Sequence, residues 1–199
     1  MSRPTCPHCL RPQATCLCHL VVPTTSACEL LILQHPLEVH HAKNTARLLH
    51  LSVPGSRIVV GEAFDGASLQ VLMPTPRTTV LLYPPTVYEG HATPAPLAPA
   101  QLQDPGKLRL VVLDATWRKS RKMLHLSPAL QGLPRLVLDG TRQSRYAIRK
   151  AHAEGQLSTL EATCAGLAQL EGNEARWEPL LHAFDSFVAG QLQFREKPA

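Results

Sequence analysis

Long apolar runs are missing from this chain. No stretch of its 199 residues approaches the roughly 20 apolar residues that a transmembrane helix needs, and residues 1–6 lack the apolar core of a secretory signal peptide. We therefore expect a soluble, cytoplasmic protein that does not bind a membrane. Thiols stay reduced in that setting, so the six cysteines indicate metal binding or core packing and not a disulfide framework.

Glycine-rich phosphate-binding loops are also missing. No G-x-G-x-x-G sequence follows a predicted strand, and no P-loop lysine is present. These absences argue against NAD and ATP as cofactors. They leave room for a cofactor without phosphates, such as S-adenosylmethionine.

Four of the cysteines lie close together near the N-terminus. They form a C-x-x-C pair and a C-x-C pair, which are Cys6, Cys9, Cys16 and Cys18. Four thiols in thirteen polar residues cannot form a buried core, but they can converge on a tetrahedral zinc ion, with His8 or His19 as an alternative ligand. We predict a structural zinc knuckle over residues 1–26, since four protein ligands leave no open position for catalysis. The isolated Cys28 and Cys164 are predicted to be small core residues.

Strand and helix patterns alternate along residues 27–199. Short apolar runs predict strands at residues 29–34, 57–60, 79–83, 108–113 and 135–138. Helical patterns cover approximately residues 44–49, 118–124, 158–170 and 174–191. This alternation predicts an α/β fold with a mostly parallel sheet covered by helices on both faces.

The most informative motif follows the fourth predicted strand. Asp114, Ala115, Thr116 and Trp117 connect that strand directly to a helix. Open α/β sheets bind ligands at the carboxyl ends of their strands, so we predict that Asp114, Thr116 and Trp117 are catalytic. The alternatives are that Asp114 or Thr116 only caps the helix and that Trp117 is a core residue.

Positive charge is concentrated in two segments beside this motif, although Lys and Arg exceed Asp and Glu by only 20 to 15. The first segment contains Arg118, Lys119, Arg121 and Lys122. The second contains Arg142, Arg145, Arg149 and Lys150, and includes Tyr146, on which a base could stack. We predict a nucleic acid partner that is held by its phosphates. The alternative is a pair of solvated helix faces.

Six motifs in this order resemble those of the DTW-domain family. They are the cysteine knuckle, His35-Pro36 with Asn44-Thr45, Leu82-Tyr83-Pro84, Asp114–Trp117, Ser144-Arg145-Tyr146 with Arg149-Lys150, and Leu157–Ala162. Together they span about residues 6–170. Members of the family are tRNA-uridine aminocarboxypropyltransferases. The resemblance therefore implies transfer of the 3-amino-3-carboxypropyl group from S-adenosylmethionine to N3 of a tRNA uridine, with release of methylthioadenosine.

The resemblance also extends to SPOUT-type enzymes, and it implies their knotted cofactor site, which sequence periodicity does not reveal. By that analogy three loops and the strand-end carboxylate would bind the cofactor, through Leu82, Tyr83, Pro84, Asp114, Leu136, Leu138, Ser158, Thr159 and Glu161. Asp114 would act as the base for the uracil N3 proton, bind the cofactor's amino group or orient the uridine. Glu161 is a second candidate carboxylate, or a helix-capping residue.

Two other functions remain open from the sequence. An RNA methyltransferase on the same scaffold would release S-adenosylhomocysteine, and a non-catalytic zinc-knuckle RNA-binding protein would release neither product. We expect tRNA as the partner and no obligate protein partner.

Overall fold

Five short strands form the centre of the protein, and the computed structural model describes residues 4–85, 87–139 and 157–196. The strands are β1 (Glu29–Gln34), β2 (Arg57–Val60), β3 (Thr78–Leu82), β4 (Leu108–Asp114) and β5 (Arg135–Leu136). They form one sheet in the order β2-β1-β4-β3-β5, and every pairing is parallel. The predicted parallel α/β sheet is therefore confirmed.

Six α-helices surround this sheet in the described part of the chain. They are α1 (Ala46–Ser52), α2 (Gly66–Leu72), α3 (Trp117–His125), α4 (Pro128–Gln131), α5 (Thr159–Glu171) and α6 (Glu178–Glu196). Helices α2 and α4 were not predicted from the sequence. None of the described helices is long and apolar enough to cross a membrane.

The fifth strand is shorter than predicted. The pattern at residues 135–138 predicted four strand residues, but pairing stops at Leu136, whose partner Leu82 is the last residue of β3. In the part of the chain that the structure describes, no strand pairing extends to Val137, which is 45% exposed. The predicted length was wrong because it was based on the apolar residues of this segment alone, whereas the length of a strand also depends on where its partner strand ends.

Alternating side chains of the central strands supply two apolar layers. In β1, Leu30 and Ile32 pack on the face covered by α1, α5 and α6, while Leu31 and Leu33 pack with side chains of α2, α3 and α4. This period-two alternation is the geometry of an extended strand with both faces buried. The sheet therefore forms a rigid layer whose carboxyl edge presents the ends of β1, β3, β4 and β5 side by side.

Two predictions about organisation stay predictions. Residues 140–156, which connect β5 to α5, lie outside the described residues, so the SPOUT-like knot is not tested. The division of the chain at residue 26 is not tested either. Cys6, Cys9 and Leu17 pack in the same apolar cluster as side chains of α1 and α6.

Candidate active site and metal centre

Asp114 ends the central strand β4 and lies beside Gln34, the last residue of β1. Its side chain is almost completely buried and accepts three hydrogen bonds. Gln34 Nε2 donates to Oδ2 at 2.8 Å, Asn44 Nδ2 donates to the same oxygen at 2.6 Å, and Thr159 Oγ1 donates to Oδ1 at 2.7 Å. Three segments distant in sequence therefore converge on this carboxylate.

Among the described residues, this network leaves Asp114 able to accept one further hydrogen bond. A carboxylate oxygen has two lone pairs, and the two amide donors occupy both on Oδ2, whereas Thr159 occupies only one on Oδ1. Burial raises the pKa of Asp114, and Glu38 adds to this, while the three hydrogen bonds oppose it. Asp114 thus combines the increased basicity of a desolvated carboxylate with a single open acceptor position.

A polar cavity of about 230 Å³ opens at Asp114. Glu38 and Lys119 line it and form an ion pair, with Nζ at 2.8 Å from Oε1. Thr116 and Thr159 line it as well. The cavity therefore presents carboxylates, an ammonium group and hydroxyls within a small volume, which suits a small ligand that carries both signs of charge.

An apolar cavity of about 280 Å³ lies along the same edge of the sheet. It is lined by the ends of β3 and β5 and the start of α5, and includes five predicted cofactor-binding residues, Leu82, Tyr83, Pro84, Leu136 and Leu138. A narrower cavity of about 90 Å³ shares Trp117 with this cavity, and shares Ala115 and Thr159 with the polar one. The shared residues place the three cavities next to one another along the sheet edge, and we refer to them together as the groove, which is apolar at one end and charged at the other.

The three residues of the predicted catalytic motif occupy different positions in this groove. Thr116 is the N-cap of α3 and accepts a hydrogen bond from the Lys119 amide, so the capping alternative applies to Thr116 and not to Asp114. Trp117 is 47% exposed and contacts Tyr83 edge to face, with ring centroids 5.8 Å apart. The alternative that Trp117 is a core residue is therefore wrong.

Ser158 and Glu161 form a capping box at the start of α5. The Glu161 amide donates to Ser158 Oγ, and the Ser158 amide donates to Glu161 Oε2 at 2.8 Å. Ser158 also lines the polar cavity, but Glu161 lines none of the three cavities of the groove. The structure thus favours the capping alternative for Glu161, whereas Ser158 and Thr159 lie at the groove.

The first basic segment is less available than its sequence indicates. Lys119 is paired with Glu38, and Lys122 Nζ lies 2.9 Å from Glu62 Oε1. Arg118 and Arg121 are exposed, and the Arg121 guanidinium lies 6.0 Å from the centre of the Tyr88 ring. The second basic segment lies outside the described residues, and with it Arg142, Arg145, Tyr146, Arg149 and Lys150.

The N-terminal cysteines converge as predicted. All four Sγ atoms lie within 4.8 Å of one another, with Cys6 to Cys18 at 3.6 Å and Cys9 to Cys16 at 3.7 Å. Tetrahedral zinc, with Zn–S bonds of about 2.3 Å, places its sulfurs about 3.8 Å apart. The donor set therefore fits zinc, and neither His8 nor His19 belongs to the cluster.

Electrostatics of the cysteine cluster also suit a cation. Hydrogen bonds from the backbone at Cys9 and His8 lower the pKa of Cys6 to about 6. Burial and the neighbouring thiols raise the pKa of Cys18 to about 12. A bound divalent ion would stabilise all four thiolates together.

Sequence reasoning missed three residues of the site, namely Gln34, Asn44 and Glu38. Gln34 carried a usable signal, because it is a polar residue at the carboxyl end of an apolar strand. Asn44 lies within a motif of the resemblance but was given no role. Glu38 carried no signal, since only the fold brings it to Lys119.

Comparisons with known proteins agree on one family. The DTW domain family matches residues 3–192. A Drosophila melanogaster protein named tRNA-uridine aminocarboxypropyltransferase 2 is 32% identical, over 96% of this chain and 76% of the relative. An Arabidopsis thaliana protein named tRNA-uridine aminocarboxypropyltransferase A is 30% identical, over 86% of this chain and 75% of the relative. A Mus musculus protein named tRNA-uridine aminocarboxypropyltransferase 2 is 31% identical, over 96% of this chain and 64% of the relative. No solved structure matches the chain significantly.

Proposed function

The chain belongs to the DTW domain family and is by that membership an aminocarboxypropyltransferase, and we propose that its donor is S-adenosylmethionine and its acceptor N3 of a uridine in tRNA. The observation that carries this proposal is the groove with an apolar end at Trp117 and a charged end at Asp114. S-adenosylmethionine has the same polarity, with an adenosine at one end and an amino acid at the other.

The apolar end of the groove suits the adenosine. Tyr83 and Trp117 offer aromatic surface there, and Leu82 and Leu136 provide apolar walls. Trp117 is 47% exposed and lies beside Tyr83, so its indole can stack against a purine. We therefore assign the three predicted loops to adenosine binding and exclude Glu161, whose carboxylate caps α5.

The charged end of the groove suits the amino acid group of the donor. The Lys119 ammonium can bind the donor's carboxylate, and Glu38 can bind its ammonium group. The donor supplies a sulfonium-activated carbon, and a protein selects the aminocarboxypropyl carbon over the methyl carbon by the orientation in which it holds the donor.

Asp114 then acts on the acceptor. The uracil N3–H group is a weak acid that must lose its proton as the bond from N3 to the donor's Cγ forms and the Cγ–S bond breaks. The open lone pair on Asp114 Oδ1 can accept this N3–H group, and the raised pKa of Asp114 favours taking the proton. The bonds from Gln34, Asn44 and Thr159 fix the carboxylate in position.

The remaining assignments concern RNA and zinc. The exposed Arg118 and Arg121 are candidates for phosphate contacts at the rim of the groove; the contribution of residues 142–150 stays a prediction. Zinc held by the four cysteines would be structural, because four thiolates complete its coordination. We place this reaction with tRNA in the cytoplasm.

The small-molecule product tests this proposal. Purified protein incubated with S-adenosylmethionine and total tRNA is expected to release methylthioadenosine, measured by liquid chromatography. S-adenosylhomocysteine instead would indicate a methyltransferase. Release of neither product, with tRNA still bound, would indicate the non-catalytic alternative.

A further inference from the structure

A second groove lies between the cysteine knuckle and the segment that leads into α1. Its volume is about 570 Å³. One wall is formed by residues 5–15 of the knuckle, including Cys9 and Arg11, and the other by residues 39–47, with Gln191 of α6 completing the lining. We call it the knuckle groove; the proposed donor and uridine sites do not use it.

Two arginines, Arg11 and Arg47, carry the formal charge of the knuckle groove. Among the described residues that line it there is no Asp or Glu, and His40 and His41 add two imidazole groups. This differs from the polar cavity and from α3, where Glu38 and Glu62 neutralise lysines. A groove whose described lining includes the Arg47 guanidinium and no carboxylate attracts a polyanion.

Arg47 is the residue best placed to bind such an anion. It is half-buried in the groove wall, and within the described residues its guanidinium has neither a carboxylate nor a hydrogen-bonding partner. Arg11 has a different role, because it donates to the Ala42 carbonyl and lies over the Phe187 ring, 4.9 Å from its centre. These contacts attach the knuckle wall to the opposite wall and to α6.

The knuckle groove adjoins the candidate active site. His41 and Asn44 line both the groove and the polar cavity at Asp114. Asn44 joins them directly, since its Nδ2 donates to Asp114 and its Oδ1 accepts a hydrogen bond from the Arg47 amide at 3.3 Å. A chain of nucleotides that places one base at Asp114 would therefore continue into the knuckle groove.

We infer that the knuckle groove binds the sugar-phosphate backbone of the RNA next to the uridine that is modified, with Arg47 contacting a phosphate. This inference rests on the proposed function for the identity of the RNA as tRNA. It assigns the cysteine knuckle a role as one wall of the substrate site.

The experiment measures tRNA binding as a function of salt concentration in wild-type protein and Arg47→Gln. Loss of one phosphate contact should lower the magnitude of the log–log salt slope by about 0.7–0.9 and weaken binding at low salt by about tenfold. Lys107→Gln is the matched control, since Lys107 is 80% exposed and precedes β4 at the opposite edge of the sheet. It should leave slope and affinity unchanged. Arg47→Lys, which keeps the charge, should keep most of the slope.

Methylthioadenosine affinity is the second measurement. It should be the same in wild type and Arg47→Gln, because Arg47 lines none of the donor cavities. An unchanged salt slope in Arg47→Gln would overturn the inference, and so would an equal loss of slope in Arg47→Lys and Arg47→Gln, which would indicate a structural role. If the salt slope depends on Arg47 but the protein makes no aminocarboxypropyl product, the result would support RNA binding in the knuckle groove and contradict the proposed function.

Discussion

Replacing Asp114 by Asn separates a catalytic role from a structural one. The asparagine oxygen can take the place of Oδ2 and accept from Gln34 and Asn44, while its NH2 group takes the place of Oδ1 and donates to the Thr159 hydroxyl. The local network is thus preserved. The open acceptor position becomes a donor, and it can no longer receive the uracil N3–H group.

The expected loss of activity depends on which role Asp114 has. A hydrogen bond to a charged group contributes about 1.5–3 kcal/mol, so loss of orientation alone should reduce kcat/KM by about 10- to 150-fold. General-base catalysis contributes about 10²- to 10⁴-fold, so loss of a base as well should reduce it further. A fall of about a thousandfold or more would therefore indicate a base.

The thermal stability of Asp114→Asn should not fall, although its activity should. Burial raises the pKa of Asp114 above its ordinary value of 3.8, so the folded state favours the protonated carboxyl. The protonated Asp114 side chain therefore contributes fully to the stability of the fold below the pKa that Asp114 has in the unfolded chain. This contribution is lost as the pH rises through the pKa that Asp114 has in the folded protein. At neutral pH Asp114→Asn, which does not ionise, should unfold at a temperature no lower than wild type, and this advantage should shrink in acid.

The assay combines steady-state transfer to tRNA with thermal unfolding at neutral and acid pH. Asp104→Asn is the matched control, because Asp104 lies at the opposite edge of the sheet beside Lys107, and it should leave turnover unchanged. Near-normal turnover in folded Asp114→Asn would contradict a catalytic role for Asp114. So would a marked loss of stability at neutral pH, since it would show that the carboxylate serves the fold.

Three further predictions concern zinc, stacking and capping. Wild-type protein should contain about one zinc per chain by mass spectrometry, and Cys9→Ser should lose most of it; metal-free wild type would contradict this. Trp117→Ala should weaken methylthioadenosine binding by about tenfold in calorimetry, since stacking on a base contributes about 1–3 kcal/mol; unchanged affinity would place the adenine elsewhere. Glu161→Ala should lower the free energy of unfolding by about 1 kcal/mol without changing the affinity for methylthioadenosine. A reduced affinity would indicate that Glu161 belongs to the donor site.

Much of the fold follows from local patterns. The bounds of β1 and β2 agree with the predicted runs at residues 29–34 and 57–60, because each strand is a short apolar segment that ends at a polar residue or glycine. The start of α5 follows from the Ser158 and Glu161 capping box. Helix α2 was missed although Asp65 caps it by accepting from the Ser68 amide, a signal that the sequence carried.

The site was less predictable because its contacts join distant segments. Asp114 was identified from its position after a strand, but its donors Gln34 and Asn44 lie 80 and 70 residues away along the chain. The number of basic residues in the α3 segment overstated its net positive charge in the folded protein. Folding brings Glu38 to Lys119 and Glu62 to Lys122, and the sequence does not show these pairs. Local sequence therefore indicated where the site lies, and long-range pairing determined what its charges can do.

Isotope transfer to tRNA distinguishes aminocarboxypropyl transfer from methyl transfer. S-adenosylmethionine labelled at its carboxyl carbon and, separately, at its methyl carbon would be incubated with the protein and tRNA, and the nucleosides analysed by mass spectrometry. We predict that the carboxyl label enters a modified uridine while the methyl label leaves in methylthioadenosine, and that Asp114→Asn abolishes most of this transfer. Methyl label in the tRNA, with the carboxyl label left in S-adenosylhomocysteine, would contradict it.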